Sequence, residues 1–352
     1  MREAAESAPR PVSNRYRPGL SVLGGRSERR IAGVLVLPGR LLLLFLVAFP
    51  AGVAIYIAFT AFSGTSSYPW YDAWKDWIWF DNYWEALSSG GFWSAVWRTV
   101  LVSVLAVTVE FGLGLFLAFL FLREFRGRSA LTVVFLLPMM VVPAVAGFIF
   151  YMLFQTNGPV NAALTFFLHD VLHLTGHIGI RWLSDPGVAI YSVIIADIWQ
   201  WTPLMFLIFL SSLVALPEDQ LNQARILGAR FRHELRYLVL PMMKPIILIA
   251  LIIRGIEVVK IFDSDWLLTR GGPGDSSTTI SVYLYRQITD NYRYGYASAA
   301  AIIVLGMISV LALRAIRPIE AAQTETLEEL VGGAVEQEQV RIEDAIEAEA
   351  AS

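Results

Sequence analysis

Five ionisable residues, Glu110, Asp197, Arg254, Glu257 and Lys260, lie inside long apolar stretches of this 352-residue chain. Such groups are costly in hydrocarbon and are kept where they pair with one another or face a watery cavity. Arg254, Glu257 and Lys260 recur every three residues, so the spacing predicts pairing along one helix, with the acid between two bases. Beside Asp197, the residues Trp199, Gln200 and Trp201 offer two stacking faces and an amide, groups suited to a sugar ring. Two readings of this set stay open. It forms a translocation path for a polar solute, with Glu257 and Lys260 near its outer or gating end, or it forms a salt-bridged seam that locks helices together, with the tryptophans as packing.

Other chemistries find less material. His169, His173 and His177 recur at four-residue spacing and would align three imidazoles on a short helix. Only Asp170 adjoins them, so a solvated or interfacial amphipathic helix is expected rather than a metal site. The absence of cysteine removes disulfides, thiolate metal sites and thiol catalysis. The glycine cluster "GGPGDSST" at Gly271 lacks the lysine that would reach a phosphate, so the chain is not expected to bind ATP. No enzyme activity, bound cofactor, metal or nucleic-acid partner is expected.

Composition sets the elements that must position these groups. With 56% hydrophobic residues, 16% charged and a mean hydropathy of +0.57, the chain is too apolar for a soluble globule and belongs in lipid. Windows of about 20 apolar residues fit helical spans, and the short alternating segments of a barrel are missing. The expected fold is an all-α membrane protein of about six spans, near residues 31–62, 93–122, 130–154, 188–214, 244–262 and 296–316. The first run is too long and too late for a cleaved signal and is read as a retained helix.

Lysines and arginines give the orientation. Residues 1–30 hold seven, the 123–129 connection three and the 215–244 segment five, whereas 63–92 and 155–187 hold one each and 263–295 three. Cytoplasmic loops carry the excess, so both termini are expected in the cytoplasm. The aromatic stretch from Tyr68 to Trp84 suits headgroup depth, with a carbohydrate platform as the alternative. The tail 318–352 carries ten acids against Arg341 alone and reads as a solvated segment, or as an amphipathic helix over 336–350 using Val340, Ile342 and Ile346. The organisation is then a basic segment 1–30, a membrane domain 31–317 and the acidic tail 318–352.

One polar interruption stands out, "LNQARILGARFRHELRYLVLP" at 221–241, with four arginines between two apolar runs. Pro217, Glu218 and Asp219 suit a helix start. Leu221, Ala224 and Leu227 or Gly228 give it a small apolar face, and Gly228 suits the left-handed turn that ends it. A second helical piece from Arg230 to Val239 should run to Pro241, with Pro245 opening the fifth span. The segment 215–245 is thus expected to be a cytoplasmic helix-turn-helix.

Ala224, Gly228, Ala229, Leu240, Pro241 and Pro245 resemble the EAA loop of permease subunits in bacterial ABC importers. Asn222, Gln223 and Leu227 depart from that pattern, standing where a glutamate, an alanine and an aspartate are usual. In the fourth span Asp197, Trp199, Thr202, Pro203 and Pro217 resemble the Asp-x-Trp-x-x-Thr-Pro order of carbohydrate-type permeases. Arg254, Glu257, Lys260, Phe262, Asp263, Leu268, Thr269, Gly271, Gly272, Pro273 and Gly274 are similar to the same group's fifth span and following loop. Pro138, Pro143, Gly158 and Asn161 add to the likeness, which covers about residues 31–317.

The resemblance implies a permease subunit in a bacterial or archaeal inner membrane, moving a sugar, polyol or glycerol-phosphate-type solute. Its implied partners are two ATP-binding subunits carrying ATP and Mg, a second permease of different sequence, an extracytoplasmic solute-binding protein and membrane lipid. The implied coupling residues are Glu218, Leu221, Asn222, Gln223, Ala224, Leu227, Gly228 and Ala229, with Leu221 and Ala224 docking on the ATPase. The alternative of another class is an ion-gradient-driven secondary transporter, which gives no reason for the Gly228 to Pro241 loop. A membrane enzyme would need a clustered nucleophile, base or metal site that the spans do not offer.

Overall fold

The computed structural model describes residues 26–173 and 179–316. Most of the basic N-terminal segment, His177 and the acidic tail with its 336–350 stretch lie outside the described residues. The chain divides after Ala54. The first unit holds most of helix α1 (Arg26–Ala58), which runs through Pro38 and Pro50 and exposes apolar side chains from Leu35 to Phe49. Among the described residues there are no strands, only an isolated bridge between Thr60 and Trp77.

The second unit is built from helices α2 (Asp81–Ser88), α3 (Gly90–Leu122), α4 (Arg128–Met140), α5 (Pro143–Leu153), α6 (Pro159–Thr165) and α7 (Ala189–Val214). There follow α8 (Glu218–Ile226), α9 (Phe231–Glu234), α10 (Leu240–Val259), α11 (Asp263–Leu268), α12 (Ile280–Thr289) and α13 (Tyr294–Ile316). With α1, five helical stretches are long and apolar enough to cross a membrane, and the bent pair α4 and α5 makes up to six. In lipid a helix satisfies its own backbone, which is why apolar length alone specifies these elements.

The heart of this unit is the pairing of α3 with α7. Gly114 permits it, because a Cβ there would stand 2.6 Å from Met205 Cβ and 2.9 Å from the Phe206 nitrogen. Small residues at such crossings let backbones approach where no hydrophobic effect drives helices together. Phe121, Met205, Phe206, Phe209 and Leu213 then pack with Val239, Met243 and Ala250 of the chain after the loop.

The sequence predicts one continuous third span over 130–154, and the structure breaks it. Helices α4 and α5 meet at 97° across Val141 and Val142, between Pro138 and Pro143. Proline at 143 removes a donor and pushes Val142 into an extended conformation (φ −60°, ψ 134°). The break leaves the Val141 carbonyl outside the helical ladder. Gln200, 2% exposed on α7, donates from Nε2 to that oxygen at 2.8 Å. An unsatisfied carbonyl in hydrocarbon costs several kcal/mol, so this bond makes the broken span tolerable.

The expected stop at Leu240-Pro241 is also corrected. A π-helical turn over Leu235–Val239 joins α9 to α10, so helix runs from Phe231 to Val259 through both Pro241 and Pro245. The widened turn shifts the hydrogen-bond ladder where the prolines lack donors.

Beyond α10, the glycine-rich loop folds onto one buried carboxyl. Asp265 accepts hydrogen bonds from the Thr269 hydroxyl at 3.0 Å and the Thr279 hydroxyl at 2.8 Å. Thr278 closes on the Gly271 carbonyl at 2.9 Å, and Ser277 on that of Gly272 at 2.8 Å. Burial pushes the Asp265 carboxyl up to about 7, against the pull of the two hydroxyls and Arg286.

Two outcomes are expected. Gln200→Ala should lower the thermal stability of the detergent-solubilised protein by about 1–3 kcal/mol, by stranding the Val141 carbonyl. Unchanged unfolding would show that the bond contributes nothing. Because the folded Asp265 value lies above the ordinary carboxylate value, its contribution is full below the latter and lost as pH rises through 7. Melting curves at about pH 5 and about pH 8.5 should show the native protein losing more stability than Asp265→Asn. Equal losses would contradict it.

Candidate translocation site and coupling loop

Three of the five intramembrane ionisable groups converge from three helices. Arg254 of α10 donates from Nε to Glu110 Oε2 at 2.7 Å and from Nη2 to Glu110 Oε1 at 2.9 Å. The same Nη2 donates to Asp197 Oδ2 at 2.5 Å. The side chains are 1%, 0% and 3% exposed respectively. An apolar cluster lies on each side, one around Phe206 and Met243 and one around Val102, Ile194 and Val258. The guanidinium also stands 4.9 Å from the Trp201 ring centroid, within cation–π range. Partial neutralisation by a forked donor is what lets these charges persist away from water.

The expected triplet along α10 is therefore corrected in part. Glu257 and Lys260 do pair, at 3.0 Å, and are largely exposed. Arg254 instead finds its partners on α3 and α7, since it lies at the level where those helices cover α10, whereas Glu257 and Lys260 lie one to two turns on at the open end of that helix. A pocket of 180 Å³ spans the two sets, with Asp197, Trp201 and Arg254 on one side and Glu257, Lys260 and Asp263 on the other.

The tryptophans and the amide separate. Trp201 borders this polar pocket, whereas Trp199 packs edge-on against Phe150 at 5.3 Å and lines a different, apolar groove of 470 Å³. Gln200 spends its amide donor on Val141 and does not line the pocket. Of the seven candidate path residues, five thus share one cavity and two serve the packing of the broken span.

At the other end of α7 and α10 lies the loop. Helix α8 ends in a turn in which Gly228 takes φ 87°, with its nitrogen donating to the Arg225 carbonyl at 3.0 Å and Ala229 nitrogen to Ala224 at 2.9 Å. Glycine reaches that conformation without strain. Glu218, Asn222 and Gln223 are exposed, while Ala224 and Ala229 are half-buried. Leu221 is half-buried and packs against the Phe206 cluster. The apolar side chains offered to solvent are instead Ile226 and Leu227, 85% and 88% exposed.

An ion pair braces this tip. Arg225 donates from Nη2 to Glu234 Oε1 at 2.6 Å and from Nε to Oε2 at 3.1 Å, tying α8 to α9. Sequence reasoning missed this brace, as it missed Glu110 as partner of Arg254. Both pairs join residues far apart or across a turn, where no helical spacing signals contact.

Residues 110–319 match the family model of the binding-protein-dependent transport system inner membrane component. The chain is 30% identical over 294 residues to the sulfoquinovosyl glycerol transport system permease protein SmoG of Agrobacterium fabrum, covering 82% of this chain and 91% of that protein. It is 31% identical over 306 residues to the trehalose transport system permease protein SugA of Mycobacterium tuberculosis, covering 84% and 91%. A chain of a crystallised bacterial alginate ABC transporter shares the fold, with a TM-score of 0.66 at 21% identity over 83% of this chain and 94% of that one. The matches favour the permease reading and lend nothing to the ion-gradient alternative. The chain belongs to the binding-protein-dependent transport system inner membrane components, the permease family of ABC importers.

Proposed function

We propose that this permease imports a sugar, polyol or glycerol-phosphate-type solute across an inner membrane, driven by ATP hydrolysed in two separate partner subunits that carry ATP and Mg. The relatives named for sulfoquinovosyl glycerol and trehalose support a glycosidic cargo. A second permease of different sequence and an extracytoplasmic binding protein complete the assembly, and both termini face the cytoplasm. The loop after α7 is then on the ATPase side, and the pocket between Trp201 and Lys260 lies toward the binding protein.

The observation that carries this reading is the tip of α8. Two large apolar side chains, Ile226 and Leu227, stand almost fully exposed at a polar loop beside a glycine turn. A short amphipathic helix with such anchors suits a hydrophobic groove on a partner. Docking there passes movement of the ATPase pair into α7 and α10, which the loop joins. Glu218, Asn222 and Gln223 contribute the polar rim of that contact, the small Ala224 allows close approach, Ala229 closes the turn onto it, and Leu221 also packs on the Phe206 cluster.

Gly228→Val forces a β-branched residue into positive φ at an otherwise open site. It should leave membrane insertion intact while reducing transport per ATP hydrolysed at least about tenfold, equivalent to about 1.4 kcal/mol of lost coupling. Full coupling in that variant would refute the role of the turn. Cysteine placed at Leu227 should cross-link to the ATP-binding subunit, since the chain has no cysteine of its own. Cross-links to some other protein alone would place a different partner at the loop.

A further inference from the structure

The two helices that leave the loop meet again far from it. Asp197 lies seventeen residues up α7 from Val214, and Arg254 fourteen residues along α10 from Leu240. At 1.5 Å per residue these are about 26 Å and about 21 Å from the loop. There Arg254 grips Asp197 of α7 and, with a two-pronged contact, Glu110 of α3. The polar pocket begins at that level, since Asp197, Trp201 and Arg254 line it, and continues one to two turns on with Glu257 and Lys260.

Resting on the ATP-driven reading above, we propose that Glu110 and Asp197 are positioning residues that pin Arg254, so that α3, α7 and α10 move as one body and deliver the loop's displacement to the pocket. In lipid no hydrophobic drive holds helices together, so polar contacts between them add to what close packing supplies. A guanidinium gripped along its Nε–Nη2 edge by two carboxylates from different helices fixes distance and angle together. Opening such a buried contact would leave charges unpaired away from water, which disfavours breaking it in each cycle. Glu110 therefore does more than neutralise. It extends the clamp to the third helix, whose contact with α7 at Gly114 lies one turn nearer the loop.

The test uses the complete transporter in lipid vesicles, with spin labels at Tyr191→Cys on α7 and Ile253→Cys on α10, both on exposed positions outside the cluster. A separate label at Gln220→Cys reports motion of the loop. Adding ATP with vanadate should change the Gln220 signal while the α7 to α10 separation stays within about 2 Å, the scale of small helix shifts. A change of about 5 Å or more, one helical turn, would overturn the pin and make the cluster a latch that opens. An unmoved loop would instead overturn the ATP-driven reading itself. In Arg254→Met the separation should broaden or shift. A distribution as narrow as the native one would also overturn the pin, and the native measurement decides the matter if that variant does not assemble.

Discussion

Arg254 is the interaction on which the rest of the second unit depends. A guanidinium that is 1% exposed between apolar clusters is largely cut off from water, so the Nε and Nη2 donors on its buried edge must be answered by protein. Glu110 and Asp197 answer them from two other helices, and this dictates where α3, α7 and α10 stand relative to one another. Gly114 brings α3 and α7 close enough for both acids to reach the same fork. The site follows from the same constraint, because Trp201 and the pocket are held at the level of the clamp.

The broken third span obeys the same rule in a neutral form. Prolines at 138 and 143 open the backbone, and Gln200 supplies the missing donor from α7. Residues that look suited to a sugar are thus divided by what the backbone demands. An amide beside two tryptophans is spent on structure, whereas the tryptophan over the guanidinium stays at the cavity. In hydrocarbon, satisfying the backbone takes precedence over offering polar groups to a ligand.

How much of this was legible in the sequence follows from the range of each interaction. Apolar runs located the helices because span length is a local property, and the position of the loop showed through its charge and Gly228. The kink did not show, although Pro138 and Pro143 were visible, since whether a proline bends or merely decorates a helix depends on neighbours. The spacing of Arg254, Glu257 and Lys260 pointed to a ladder along one helix. It is right for the exposed pair and wrong for Arg254, whose partner Glu110 lies 144 residues away. Leu221, on the helical face expected to dock, also packs against the protein's own core. Which side of an amphipathic helix turns inward is settled by tertiary packing.

The account holds that an ATP-driven movement at the Gly228 turn reaches a polar pocket through one clamped body of helices. The most direct measurement is uptake of labelled glycosides, among them trehalose, into vesicles holding the complete transporter and its binding protein. ATP would be trapped on the loop side, and ionophores would collapse all ion gradients. The account predicts uptake that requires ATP and survives the ionophores. Uptake that persists without ATP and vanishes with the gradients would contradict it.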